Sequence, residues 1–224
     1  MKKLFFYLCF LFLILSCSKI QPVETNQTDG ADTPSLSCDC EQLYGGSSKP
    51  KVINIDGGND SINALAINNK VSDFEIAHLQ IENVELGIHI LNKPGCATSS
   101  QFPEWEMKNI IIHNNLTQNI GNEGLYIGYS KFLQPVALNC DGSSISRFCP
   151  VIKNIHIYNN IVENCGWDGL QVSYATGGAK IFNNVINATG LKNKPTQRAG
   201  IVVGGGTRGD VYVLYLAMAL MFLG

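Results

Sequence analysis

Three copies of one phrase decide the reading: Ile112-His113-Asn114-Asn115-Leu116, Ile157-Tyr158-Asn159-Asn160-Ile161 and Ile181-Phe182-Asn183-Asn184-Val185. Each leads into a Gly-[Leu/Ile]-x-[Ile/Val] segment: Gly124-Leu125-Tyr126-Ile127, Gly169-Leu170-Gln171-Val172 and Gly200-Ile201-Val202-Val203. A fainter copy precedes them, with Ile76 to Ile81 leading into Gly87-Ile88-His89-Ile90. Within each copy apolar and polar residues alternate over short runs, the period of a strand. The runs are rich in Ile and Val and end at Asn or Gly, which tolerate left-handed turns. Asn159 and Asn183 are 24 residues apart, room for two or three short strands and no crossover helix. Units of this kind stack strand on strand, in parallel, around an inner apolar column. The expected fold is therefore all-β, a parallel solenoid.

The I-x-N-N-[LIV]…G-[LI]-x-[IV] phrase resembles the right-handed parallel β-helix repeat proteins, the superfamily that includes pectate-lyase-like enzymes. The resemblance spans roughly residues 52 to 212. It implies a right-handed parallel β-helix and, by its members, a polysaccharide lyase or hydrolase, an epimerase, an adhesin or a tailspike. Fold alone does not choose among these. The residues themselves ask for no cofactor; Ca2+ enters through the resemblance only. The aspartate-rich and Gly-His-Gly signatures of polygalacturonases, and the paired arginines of pectate lyases, are not in the sequence.

Residues 1–17 read as a lipoprotein signal peptide. Lys2 and Lys3 precede an apolar run from Leu4 to Leu15, and Ile14-Leu15-Ser16-Cys17 resembles a bacterial lipobox with Cys17 as the lipidated residue. The run is shorter than the ~20 residues a membrane helix needs. Residues 18–37 are polar and read as a flexible tether. The expected localisation is the bacterial cell envelope, held to a membrane by the lipid. Leaving out Lys2 and Lys3 lowers the basic count from 16 to 14 against 18 acidic residues, a net charge of −4. A mildly acidic chain with no basic patch excludes nucleic acid as the expected partner.

The β-helix is expected over 38–212, with insertions at 92–107, 130–151 and 191–197. The first two leave the same point of successive coils and should touch; the third enters at the opposite end of the equivalent strand. Beyond Tyr212 an Asn pair is due, but residues 213–224 form a hydrophobic tail without alternation, the expected mark of a β-helix cut short. Eight cysteines suit an oxidising compartment. Cys165 falls where Ile120 falls one unit earlier and is expected to be a core thiol. Cys140 and Cys149 share one loop and are the expected disulfide. Four histidines, three inside strand phrases, argue against a zinc site, so no metal ligands are assigned.

Superposing the units at the strand glycine brings candidate chemistry onto one outer face. Glu123, Asp168 and Ala199 precede the glycines; Glu85, Asn122, Trp167 and Arg198 stand one step earlier. His89, Tyr126 and Gln171 point away from the apolar column, and Tyr129 and Tyr174 follow. Aromatics and carboxylates in a groove suit a sugar chain, the rings stacking on C–H faces and the polar groups bonding hydroxyls. Glu123 and Asp168 could act as the carboxylate pair of a hydrolase; Arg198 with Tyr126 or His89 could serve a lyase. The expected function is a cell-envelope lipoprotein whose β-helix binds a polysaccharide, with lyase- or hydrolase-like cleavage left open. The alternative is a non-catalytic surface or adhesion β-helix. The Asn pairs are expected to be structural, as ladders and turn caps.

Overall fold

The computed structural model describes residues 53–58, 62–68 and 70–212, with the backbone of 215–217. The signal segment with Cys17, the tether, Cys38 and Cys40, and most of the 213–224 tail lie outside the described residues. All described residues belong to the unit that begins at Ser48.

Apart from one 3-10 turn at Thr98–Ser100, the regular structure of the described residues is all strand. In order these are β1 (Ile53–Asp56), β2 (Asn63–Ile67), β3 (Phe74–Ala77), β4 (Leu79–Val84), β5 (Leu86–Ile90), β6 (Met107–His113), β7 (Leu116–Ile120), β8 (Leu125–Ile127), β9 (Pro135–Cys140) and β10 (Ser143–Phe148). There follow β11 (Ile152–Tyr158), β12 (Ile161–Cys165), β13 (Leu170–Val172), β14 (Ala175–Gly177), β15 (Ala179–Phe182), β16 (Val185–Asn187), β17 (Ile201–Val203), β18 (Gly209–Tyr212) and β19 (Tyr215–Ala217). Three parallel sheets hold all but the β9–β10 hairpin: β1-β4-β7-β12-β16-β19, β3-β6-β11-β15-β18 with β14 beside β11, and β2-β5-β8-β13-β17. Each strand pairs with its counterpart one unit later, an arrangement compatible with a β-helix.

Register explains the repeat. Ile76, Ile112, Ile157 and Ile181 are partners in successive strands, as are Ile88, Leu125, Leu170 and Ile201. All but Ile201 are buried, forming the apolar column. Burying one such side chain stabilises by about 1.5–3 kcal/mol.

The two asparagines of each pair do different jobs. The first (Asn114, Asn159, Asn183) turns the chain with φ between 51° and 53°. The second is buried and bonded along the stack. Asn115 Nδ2 donates to Asn160 Oδ1 at 3.0 Å, and Asn160 Nδ2 donates to Asn184 Oδ1 at 2.9 Å. The backbone N–H groups of Asn115 and Asn160 donate to the same oxygens.

The repeated strand glycine is a matter of space. A Cβ on Gly87 would stand 2.3 Å from the Gly124 carbonyl oxygen; one on Gly124 would stand 2.8 Å from that of Gly169, and one on Gly169 2.7 Å from that of Gly200. Successive units touch backbone to backbone here, and a side chain would force them apart.

The first two insertions do meet. Phe102 N–H donates to Phe148 O, and Cys96 is bonded to Cys140, with Cα atoms 5.7 Å apart. The expected Cys140–Cys149 disulfide is thus corrected. Sequence nearness misleads because β9 and β10 form an antiparallel hairpin in which Cys140 faces Ser143 and Phe148 faces Pro135. Cys149 therefore lies near the far end, about 20 Å of strand away, where a disulfide needs Cα atoms about 4.4–6.8 Å apart. Cys149 is a buried free thiol, pushed up to about 11 by burial. Cys165 pairs with Ile120 in register and is fully buried. At the far end Gly209–Tyr212 sits over Ala179–Phe182 in the expected register, and the Tyr215–Ala217 backbone continues the pairing on β16.

Candidate functional site

The strands β5, β8 and β13 carry His89, Tyr126 and Gln171 in one register column, with Ala66 and Val202 on either side. All three point away from the Ile/Leu column, because their neighbours at 88/90, 125/127 and 170/172 point into it. The His89 and Tyr126 rings meet edge to face at 5.2 Å, and Asn63 Nδ2 lies 3.4 Å from His89 Nδ1. Burial and the nearby Lys93 hold the imidazole below its usual range, so it is neutral at pH 7. Gln171 is the most enclosed of the three, 7% exposed.

At the N-terminal ends of these strands sit the carboxylates. Gly87 N–H donates to Glu123 O, Gly124 N–H to Asp168 O and Gly169 N–H to Ala199 O, so these residues hold one position in successive units. Neither carboxylate is a solvated surface group: Glu123 is 3% exposed and Asp168 1%. Asp168 Oδ1 accepts the Ala199 N–H at 2.7 Å, and Glu123 Oε1 accepts from Gln197 Nε2 at 3.4 Å. Burial pushes the Glu123 carboxyl above the usual range. Asp168 and Glu85 push it the same way, while its own backbone N–H and Lys194 pull it back. Burial likewise raises Asp168, partly offset by the Ala199 N–H.

The third insertion covers this end. Leu191 and Lys192 N–H groups donate to Cys165 and Gly166 carbonyls, Lys192 Nζ lies 3.7 Å from Glu85, and Lys194 Nζ sits 3.0 Å above the Trp167 ring. The ring face expected to meet a sugar is therefore occupied by an ammonium group. Arg198 turns away from the strand face, donating to Asn193 Oδ1 at 2.7 Å within its own loop. Sequence superposition placed Arg198 in the Trp167 column, but Gly190 holds that place by donating to Trp167 O.

At the opposite ends the two tyrosines part company. Tyr129 is half-buried with Lys93 Nζ 5.4 Å from its centroid. Tyr174, expected on the outer face, is 1% exposed and is corrected to a core residue. Its backbone takes φ 63°, which turns the ring inward against Phe132, and its hydroxyl accepts from Leu133 N–H and donates to Lys131 O. The structure thus brings together Glu123, Asp168 and Trp167, groups His89 with Tyr126 and Gln171 alongside, and leaves Tyr129 and Tyr174 past the C-terminal ends of β8 and β13, at the other end of the strands from the carboxylates.

Calcium does not fit this end. It takes about 6–8 oxygens, whereas Asp168 and Glu123 already accept from neighbouring N–H groups, and no cluster of three or more acidic, His or Cys side chains suited to a metal occurs among the described residues.

Sequence reasoning missed the groups around the carboxylates, Lys194 and Gln197, because an insertion carries no repeat from which to place them. It also missed a ring stack on a different outer face. His113, Tyr158, Phe182 and Tyr212 share a register column and lie parallel at 4.8, 4.9 and 5.2 Å. The aromatic at the second position of the repeated phrase was its signal. Their faces are spent on one another, which suits a staple between successive strands better than a sugar platform.

The raised Glu123 carboxyl has a consequence for stability. The folded chain keeps this proton to higher pH than the unfolded chain, so stability falls as pH rises from about 4.5 through the folded value. Glu123→Gln keeps an acceptor for Gln197 and removes the titration. Its melting temperature is expected to exceed that of the wild type at pH 7, the gap closing as pH drops below 4.5. A gap that stays constant from pH 4 to pH 7 contradicts the buried-carboxyl assignment.

Among the described residues no helix is long and apolar enough to cross a membrane. No family model, curated protein or solved structure matches the chain.

Proposed function

We propose that the chain is a right-handed parallel β-helix of the pectate-lyase-like kind, lipid-anchored at Cys17 in a bacterial envelope. Its outer face over β5, β8 and β13 binds a polysaccharide. The observation that carries the reading is the outward column His89–Tyr126–Gln171, which runs across coils and is flanked at its two strand ends by insertions. A surface that repeats one polar or aromatic position per coil suits a ligand that is itself a linear repeat. Edges of the part-exposed His and Tyr rings supply hydrogen bonds and C–H contacts to sugar hydroxyls and ring faces, with the enclosed Gln171 amide next in the column.

A second reading, cleavage, is favoured by one further observation. Two stacked carboxyls, both raised by burial, supply the acid and the base that glycoside hydrolysis requires. In that case the 191–197 loop must lift from Glu123 before substrate enters, and Lys194 must leave Trp167. Without that motion the protein binds and does not cut.

A glycan array probed with the purified chain tests the binding. Tyr126→Ala is expected to weaken binding of the recognised glycan by about 1–2 kcal/mol, roughly fivefold to thirtyfold, with the melting temperature little changed. Equal binding by the variant moves the site elsewhere.

A further inference from the structure

A separate cleft opens where both large insertions close against β11 and the turn before β18. Its volume is about 330 Å³. Phe102, Phe132, Phe148 and Tyr174 line it with ring surface, and Lys153 and Arg208 are the charged residues of its lining. Phe102 is 41% exposed and Phe148 45%, so large apolar surface stands open on the mouth of an otherwise close-packed unit. Phe132 and Tyr174 hold each other edge to face at 4.9 Å, fixing the back wall. No acidic side chain lines the cleft, and among the described residues neither Lys153 nor Arg208 is paired with a carboxylate. Lys108 lies beside Lys153 in register on β6, adding a third cation to the same edge.

We propose that this cleft binds a small aromatic acid, its ring among the phenylalanines and its carboxylate on Lys153 and Arg208. The apolar walls and the cations beside them, Lys153 half-buried and Arg208 exposed, call for a ligand that is apolar at one end and anionic at the other, since a cation at an apolar wall gains from a charge-assisted partner. Arginine offers a carboxylate two parallel N–H donors and lysine a point charge. The volume lies near the low end of small-molecule sites, about 300–1,000 Å³, which admits one ring with a short acid arm and excludes a long acyl chain. The inference stands apart from the polysaccharide reading, because none of His89, Tyr126, Gln171, Glu123 or Asp168 lines this cleft.

Titrating the full chain with cinnamate, cinnamamide and dodecanoate tests it by calorimetry. Cinnamate is expected to bind at least tenfold more tightly than the neutral amide, and dodecanoate more weakly than cinnamate. Lys153→Gln combined with Arg208→Gln removes charge from the cleft edge without touching the core. It is expected to bring cinnamate down to the level of the amide at an unchanged melting temperature. Gly206→Ala provides a steric check, since its Cβ would stand 2.3 Å from the Phe132 ring and its φ of 75° disfavours a side chain, so that wall of the cleft must shift; both ring ligands are expected to weaken together. Absence of cinnamate binding at millimolar concentration overturns the proposal. So does equal binding of acid and amide by the wild type, or cinnamate binding that survives loss of both cations. Tighter binding of dodecanoate than of cinnamate overturns the aromatic assignment in favour of a lipid-like acid.

Discussion

Asn160→Leu is expected to destabilise the protein by about 3–5 kcal/mol, while Asn159→Gly next to it changes stability by less than about 1 kcal/mol. Asn160 is fully buried, and its amide serves four bonds. Its Oδ1 accepts from the N–H and the Nδ2 of Asn115, and its Nδ2 donates to Ile112 O and Asn184 Oδ1. Leucine fills the space but leaves the Asn115 N–H without its partner in the interior and removes the amide's bonds to the Ile112 carbonyl and Asn184 Oδ1. Each such orphan costs about 1–3 kcal/mol. Asn159, by contrast, is present for its φ of 53°, which glycine adopts freely. Chemical denaturation of both variants checks the contrast. Similar losses for the two would mean that the pair acts as one turn and that the ladder contributes little.

The second large effect is expected at Gly87→Ala, a loss of about 3 kcal/mol from a single methyl group. The clash is with a backbone carbonyl of the next coil at 2.3 Å, which no rotamer change relieves. The same methyl on Gly142, at the hairpin tip, has open space around it. Its φ of 81° still disfavours alanine, so a loss of about 1 kcal/mol is expected there. Unfolding curves that shift alike for the two would contradict the backbone contact between coils.

The parallel stacking was legible in the sequence because every coil repeats the same two demands. An inward Ile or Leu column needs period-two alternation, and close coil contact needs glycine; both leave letters at fixed offsets. The ladder position of the second asparagine was legible for the same reason. What escaped belongs to segments that occur once. The β9–β10 hairpin was announced by Asp141-Gly142, whose φ values of 52° and 81° are what a two-residue hairpin loop needs. That signal went unread in a stretch treated as a plain loop, and the wrong disulfide followed directly from it. Tyr174 misled because its φ of 63° breaks the alternation that placed Tyr129 outward. A turn of this sort in an aromatic residue is uncommon and leaves no pattern. The burial of Glu123 and Asp168 depends on where the 191–197 loop lies, which neither repeat nor composition fixes.

The central claim is that a polysaccharide lies on the His89–Tyr126–Gln171 column. Nuclear magnetic resonance of the labelled protein, titrated with the oligosaccharide that an array selects, reads this most directly. The ring signals of His89 and Tyr126 and the side-chain amide of Gln171 are expected to shift together, saturating at one dissociation constant, while the rings of Tyr158 and Phe182 on the other face stay put. Saturating shifts at Tyr158 and Phe182 with none at His89 and Tyr126 would contradict the account.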